Sequence, residues 1–241
     1  MKILVIVPAY NEAAIIASTI DDIRNKAHGV DILVVNDGSQ DATEQKLISC
    51  GADHLQHCVN LGIGGAVQSG YKYACLHGYD YTVQIDGDGQ HDPAFILPMI
   101  EWMENEKIDV GIGSRFLEGG GFQSSRMRRI GIRFLSWLIR MVCGANVKDV
   151  TSGYRVVNRR FSSYFAAEYS DDYPESDSIP AVVLHGGKVA EYPVKMRERT
   201  TGRSSIGALR SLYYIIKVSI SILLCRQIYS SAVPAEAGQD Q

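Results

Sequence analysis

The sequence predicts an α/β protein, a mostly parallel sheet with helices on both faces. Two observations carry that expectation. Short apolar runs alternate with amphipathic stretches through the first half of the chain, joined by brief turns rich in Asn, Asp and Gly. The apolar runs are continuous rather than alternating, as in strands covered from both sides. At 241 residues the chain fits one large domain of this class, or one domain with an appendage. A composition 46% apolar and 21% charged excludes a mainly disordered chain and a collagen.

Ile3–Val7 reads as the first buried strand rather than as part of a secretory signal. Residues 12–27 place Ile15, Ile16, Ile20 and Ile23 near helical spacing. Asp31–Val35 is a second strand, and Asn36-Asp37-Gly38-Ser39 a turn; Ser39 or Asp41 then caps a helix over 42–50. His54–His57 is a short strand, 64–78 a helix and Tyr81–Ile85 another strand. Asp92-Pro93 opens a helix to about 106, with proline at an early helical position. Val110–Gly113 is the next strand. After the break at Gly119-Gly120-Gly121, the pattern predicts helices over 126–143 and 178–186, a strand over Lys188–Val194 and a long amphipathic helix over 206–228. No run of 18 charge-free apolar residues occurs, which argues against a spanning helix. Five cysteines, an odd number without C-x-x-C spacing, point to reduced thiols and a cytosolic compartment.

The net charge of −3 conceals two unlike halves. Residues 1–113 hold 6 Lys/Arg against 16 Asp/Glu, a net −10, and residues 114–228 hold 18 against 9, a net +9. The first half suits metal or sugar chemistry, and the second suits phosphate or a membrane surface.

In an open parallel sheet, ligands bind beyond the carboxyl ends of the strands. Three turns fall there: Pro8-Ala9-Tyr10-Asn11-Glu12, Asn36–Ser39, and Asp86-Gly87-Asp88-Gly89-Gln90-His91-Asp92. In the third, Asp86 and Asp88 lie two apart on a glycine turn. They can converge on one hard cation, Mg²⁺ or Mn²⁺, with Gln90 continuing the series as a neutral oxygen. The alternative is an acidic surface turn with Asp92 capping the next helix. Gly62, Gly64 and Gly65 fall short of a dinucleotide loop because position 67 is valine. Neither a P-loop nor a Gly-x-Ser-x-Gly elbow is present. His91 sits beside the acidic turn, as a support to the ligands or as a plain solvated histidine.

VPAYNE (7–12), VNDGS (35–39), NLGIGGAVQSGY (60–71), QIDGDGQHDP (84–93), GSRFLEGGG (113–121), DVTSGYRVVNR (149–159) and RERTTGRSSI (197–206) occur in that order. As a set they resemble family 2 glycosyltransferases of the GT-A fold, over about residues 1–225. The resemblance is to the branch of dolichol-phosphate mannose synthases and bacterial polyprenyl-phosphate glycosyltransferases. It implies that Pro8, Ala9, Tyr10 and Glu12 border the nucleoside of a UDP- or GDP-linked sugar and that Asp37 accepts from the base. It implies donor contacts at Gly65, Gly87 and Arg203, and a metal with the sugar diphosphate on Asp86 and Asp88, Gln90 being a third ligand. Asp86, Asp88 and Arg115 become the catalytic set, and Arg115, Arg129, Arg133 and Ser152 the acceptor set. The expected divisions are a glycosyltransferase domain at 1–205 (nucleotide-sugar half 1–113, acceptor half 114–205), a membrane-proximal helix at 206–229 and a disordered tail at 230–241.

A lipid phosphate is the expected acceptor. Arg126, Arg129, Arg133 and Arg140 share one helical face, interleaved with Ile130, Phe134, Trp137, Leu138 and Met141, as in a helix at an anionic membrane surface. An ordinary surface helix is the plainer alternative. No nucleic-acid-binding motif accompanies the stripe. Leu209, Leu212, Tyr213, Ile216, Ile220 and Leu223 form an apolar face on the last helix. These features imply a polyprenyl phosphate acceptor and a peripheral place on the inner face of the cell membrane. The resemblance adds a small separate membrane protein as a partner. The runner-up is a sugar hydroxyl acceptor, for which Asp171, Asp172, Glu175 and Asp177 would supply a base, although Ser176 or Asp177 also reads as a helix cap. A nucleotide-sugar-binding regulator would lack the acceptor arginines, and a sugar nucleotidyltransferase would open on a basic glycine-rich loop.

Overall fold

The computed structural model describes residues 1–117, 126–197 and 208–230. Within them, strands β1 (Ile3–Ala9), β2 (Asp31–Asn36), β3 (His54–Gln56), β4 (Tyr81–Gln84), β5 (Val110–Ser114), β6 (Arg155–Asn158) and β7 (Val189–Pro193) form one sheet in the order β3-β2-β1-β4-β6-β5-β7. All neighbours pair parallel except β6, which runs antiparallel to both β4 and β5. The helices are α1 (Ile16–Lys26), α2 (Thr43–Ser49), α3 (Gly62–His77), α4 (Ile96–Glu106), α5 (Arg126–Cys143), α6 (Arg159–Ala167), α7 (Pro174–Leu184) and α8 (Ala208–Ser230).

β1 shows why the sheet carries helices on both sides. Every residue in it is buried, and the alternation of a strand sends Val5 and Val7 into one core and Leu4 and Ile6 into another. The first core holds Ile16, Ile20 and Ile23 of α1 and Met99 and Met103 of α4; the second holds Val67 and Tyr71 of α3 and Phe161 and Phe165 of α6. A third core gathers Ile112 of β5, Leu135 and Ile139 of α5, Ile179 of α7, and Val218 and Ile222 of α8.

Local signals set several boundaries. Asp92 accepts from the Ala94 N–H ahead of Pro93, and Asn158 accepts from Phe161 N to start α6. Gly78 ends α3 in the left-handed conformation (φ +69°). α7 begins at Pro174, earlier than the expected 178, so Glu175, Ser176 and Asp177 form its first turn and none is its cap. β6 and α6 were not expected as elements. α8 extends through Ser230, the first residue of the expected tail; residues 231–241 and the break at 119–121 lie outside the described residues.

α5 and α8 run side by side in the same direction. Gly131 lets them approach, since a Cβ there would stand 2.7 Å from Ile215 Cδ1, and farther along both helices Cys143 lies near Cys225. The last helix is apolar on two faces. Val218, Ile222 and Cys225 pack inward, while Tyr213, Ile216, Ile220 and Leu223 are exposed. Ile130, Phe134, Trp137 and Met141 of α5 are exposed as well, whereas Leu138 is buried.

Candidate active site

The three expected loops meet. Asp37 N–H donates to Ala9 O, Asn11 N–H to Ser39 Oγ (2.9 Å), and Gln40 N–H to Asn11 Oδ1 (2.8 Å). Glu12 N–H donates to Thr43 Oγ1, and Thr19 Oγ1 ties α1 to Gly87 O (3.1 Å). Pro8 and Ala9 are buried at the end of β1, while Tyr10 is 43% exposed at the rim.

Asp37 is 3% exposed and already engaged. Oδ1 accepts from Leu61 N–H and bonds His57 Nδ1, and Oδ2 accepts from Gly62 N–H, each at 2.8 Å. It therefore caps α3 from another loop, placing a carboxylate at that helix's positive end. A carboxylate has about four acceptor positions, so these three bonds leave one. His57 also reaches Ser69 Oγ (3.0 Å). The sequence reading missed His57, because its partner lies 20 residues away. Gly65 is buried, and a Cβ on it would meet Leu61 Cβ at 2.6 Å, so it keeps the first turn of α3 compact.

Asp86 and Asp88 flank Gly87 just beyond β4. Asp88 Oδ1 accepts from Gln90 N–H (3.1 Å), which closes the turn. Asp86 N–H donates to His91 Nδ1 (3.1 Å), and His91 Nε2 stands 3.6 Å from Asp86 Oδ2. His91 is buried and stacked on Tyr154, with ring centroids 5.0 Å apart, so it supports the turn rather than facing solvent. The residues fit a hard divalent cation. Two carboxylates share a glycine turn, and Gly153 gives them room, since a Cβ there would stand 3.0 Å from both Asp86 oxygens. Among the described residues no group of three or more His, Cys, Asp or Glu could hold a metal, so phosphate oxygens and water would complete the shell.

Gln90 also anchors the chain after β7. Its carbonyl accepts from Arg197 N–H (2.9 Å), and its side-chain amide donates to Arg197 O (3.4 Å). Arg197 reaches Asp22 (2.7 Å) and Asp92 (2.8 Å). Burial works to raise the Asp92 carboxyl, but hydrogen bonds from Ala94 N–H, Arg197 and Lys26 hold it below its ordinary range. Arg203 lies outside the described residues.

Just past β5, Arg115 is clamped by Asp149. The buried carboxylate accepts from Arg115 N–H (3.0 Å), Nε (2.7 Å) and Nη2 (2.6 Å), and Nη2 also reaches Thr151. Glu191 of β7 holds that loop through the Lys148 and Asp149 N–H groups. Ser152 departs from its expected acceptor role. It is 1% exposed and its hydroxyl proton goes to Gly113 O (2.6 Å), so it pins β5 to the loop. Arg129 and Arg133 do come together, lining a cavity of about 460 Å³ with Phe116, Ile132, Ser136 and Lys148. Arg140 is exposed; nothing is described of the Arg126 side chain. Lys148 was not expected from the sequence.

Glu175 is half-buried in the first turn of α7. Burial pushes its carboxyl above the ordinary range, the Arg155 guanidinium opposes this, and Asp86 adds to it. Arg155 is 1% exposed and donates to the carbonyls of Ser152 and Glu175 and to Ser178 Oγ.

A sheet of this order, with paired carboxylates beyond its central strand, has the plan of the GT-A nucleotide-diphospho-sugar transferases. The chain belongs to glycosyl transferase family 2, whose model matches residues 4–165, and it is a glycosyltransferase. It is 29% identical over 218 residues to an undecaprenyl-phosphate mannosyltransferase of Micrococcus luteus, covering 86% of this chain and 88% of the relative. It is 28% identical over 228 residues to a polyprenol monophosphomannose synthase of Mycolicibacterium smegmatis, covering 90% and 86%. In fold it is similar to glucosyl-3-phosphoglycerate synthase of Mycobacterium tuberculosis, solved with Mn²⁺, UDP and glucosyl-3-phosphoglycerate. That match has a TM-score of 0.69 at 22% identity, covering all of this chain and 84% of the other.

Proposed function

We propose that the chain transfers a sugar from a UDP- or GDP-linked donor to a polyprenyl phosphate, inverting the anomeric carbon. One observation carries the acceptor half of this reading: Arg129, Arg133 and Lys148 surround a cavity beside the end of β5, with Phe116 and Ile132 as its apolar lining. Three cations suit a phosphate better than a sugar hydroxyl. Exposed Phe134 and Trp137, next along α5, offer the isoprene tail an apolar path. The two polyprenol-directed relatives support the same acceptor class.

The chemistry follows from the nucleophile. A phosphate monoester has its second pKa at about 6, so it is largely dianionic at neutral pH. It needs positioning rather than a general base. Its oxygen attacks the anomeric carbon opposite the nucleotide, the bond from that carbon to the diphosphate oxygen breaks, and the electron pair leaves with the diphosphate. Mg²⁺ or Mn²⁺ held by Asp86 and Asp88, with Gln90 as a third ligand, would supply positive charge to that leaving group. Pro8, Ala9, Tyr10, Glu12 and Asp37 border the nucleoside, and Arg115, fixed by Asp149, is tied to the loop that carries Lys148.

Residues 1–205 would hold both sites. The helix expected at 206–229 would lie with α5 on the inner face of the cell membrane. Neither α5 nor α8 contains an acidic residue, and both expose apolar stripes. Among the described residues no helix is long and apolar enough to cross a membrane. A small membrane protein as partner has no support in the comparisons.

Glu175 favours a second reading, transfer to a sugar hydroxyl with this carboxyl as base. Radiolabelled donor incubated with undecaprenyl phosphate, followed by organic extraction, separates the two. The lipid reading expects labelled lipid, a raised KM for lipid phosphate in Arg129→Ala, and near-normal turnover in Glu175→Gln. A folded, donor-binding Glu175→Gln protein without activity would replace it with the hydroxyl reading.

A further inference from the structure

The acidic run between α6 and α7 has a use other than catalysis. Asp177 Oδ2 accepts from Ser170 Oγ and from Ser221 Oγ of α8, each at 2.9 Å. Its Oδ1 is buried with no partner among the described residues. Asp172 pairs with Lys217, one helical turn before Ser221. Ser170 Oγ also lies 2.7 Å from Asp172 O, so residues 170–172 are fastened to α7 and α8 together. Tyr173 follows with φ +57°, a conformation that a bulky residue keeps only where its surroundings hold it.

The other side of this segment meets the donor half. A Cβ on Gly64 would stand 2.1 Å from Ser170 O and 2.5 Å from Asp171 O, so only glycine lets α3 rest on that backbone. Gly64 is in the first turn of α3, whose Leu61 and Gly62 N–H groups are held by Asp37.

We propose that Asp177, with Ser170 and Ser221, is a positioning residue for donor binding: it holds residues 170–172 against the first turn of α3 and so fixes the amides that orient Asp37. This rests on the donor reading above. Oδ2 is taken up by two hydroxyls and Oδ1 is buried, whereas a catalytic base must reach the nucleophile.

The test compares wild type with Asp177→Ala, Asp177→Asn and Ser221→Ala, by hydrogen exchange at residues 61–65 and by calorimetry with UDP and GDP. Asp177→Ala is expected to speed exchange there about tenfold. It should also weaken nucleotide binding about five- to tenfold, the range of modest site coupling. Asp177→Asn keeps an oxygen that accepts both hydroxyls, so it should stay within about twofold of wild type. At saturating donor, kcat of either variant should stay within about threefold, because only binding is affected.

Unchanged exchange at 61–65 in folded Asp177→Ala overturns the proposal. So does an Asp177→Asn protein inactive at saturating donor, which would make the carboxyl a base. If Asp177→Ala does not fold, Ser221→Ala combined with Lys217→Ala takes its place under the same criteria. A wild type that binds neither nucleotide would remove the donor reading, and exchange at 61–65 would then decide alone whether Asp177 holds α3.

Discussion

Asp37 accepts three hydrogen bonds from its own chain before any ligand arrives, so its replacement removes two functions together. Asp37→Ala should lose about 1–3 kcal/mol of stability, from a buried charged acceptor and a helix cap. It should also weaken UDP or GDP binding by a similar amount. Urea unfolding and calorimetry measure the two losses separately, and a variant that loses only stability would take the base away from this loop. Asp88→Asn should cut turnover on the order of a hundredfold while leaving the fold intact, as expected for lost transition-state electrostatics. Chelation by EDTA should abolish activity, and added Mn²⁺ or Mg²⁺ should restore it. Burial raises the Asp177 carboxyl above its ordinary 3.8, although bonds from Ser221 and Ser170 and the charge of Lys217 partly oppose it. Its contribution to stability is therefore complete below pH 3.8 and lost as pH rises through the folded value. Asp177→Asn should raise Tm at neutral pH, and the gain should vanish toward pH 3, as followed by thermal unfolding across pH. The paired aspartates were legible because two carboxylates two apart on a glycine turn carry their geometry in the spacing. His57, Asp149 and Glu191 were not, since each finds its partners only after distant strands have paired. Ser152 misled for a related reason: a hydroxyl in a recognisable segment does not disclose which way it faces.

Among the elements, α8 carries a second apolar face that the sequence pattern does not single out. The expected stripe through Tyr213, Ile216, Ile220 and Leu223 is exposed, as a face turned toward a membrane requires, while Val218, Ile222 and Cys225 make a packed face on the other side. A helix apolar nearly all round offers no contrast from which to choose. Ile216→Glu with Ile220→Glu should leave Tm within a degree or two, since surface changes rarely exceed about 0.5 kcal/mol. The same pair should sharply reduce cosedimentation with anionic vesicles. Val218→Asp should do the reverse and lower Tm strongly, because it buries an unpaired charge. The start of α7 was misplaced because Ser176 and Asp177 resemble capping residues, whereas the actual start uses Pro174 behind a left-handed Tyr173. β6 escaped notice because four residues are too few to show a period, and nothing local marks them as antiparallel.

Across the whole molecule, the acidic half holds Asp37, Asp86 and Asp88 beyond the ends of its strands, and the basic half places Arg129, Arg133 and Lys148 around the cavity beside β5. Vesicle binding should therefore fall steeply as salt shortens the Debye length from about 10 Å at 0.1 M toward 3 Å at 1 M. Affinity for UDP or GDP should change much less over the same range, because the groups around Asp37 are buried. The antiparallel strand has a further consequence, for the order in which the protein can be made. β6 lies between β4 and β5, so β4, which leads into Asp86, has one of its two neighbours only after residue 158 has left the ribosome. Until then β4 has one open edge and β5 two, and the Asp86–Asp88 turn has no Gly153 opposite it. A fragment ending at residue 113 holds nearly every donor residue yet should aggregate, and one ending beyond β7 should be the shortest that stays in solution and binds nucleotide.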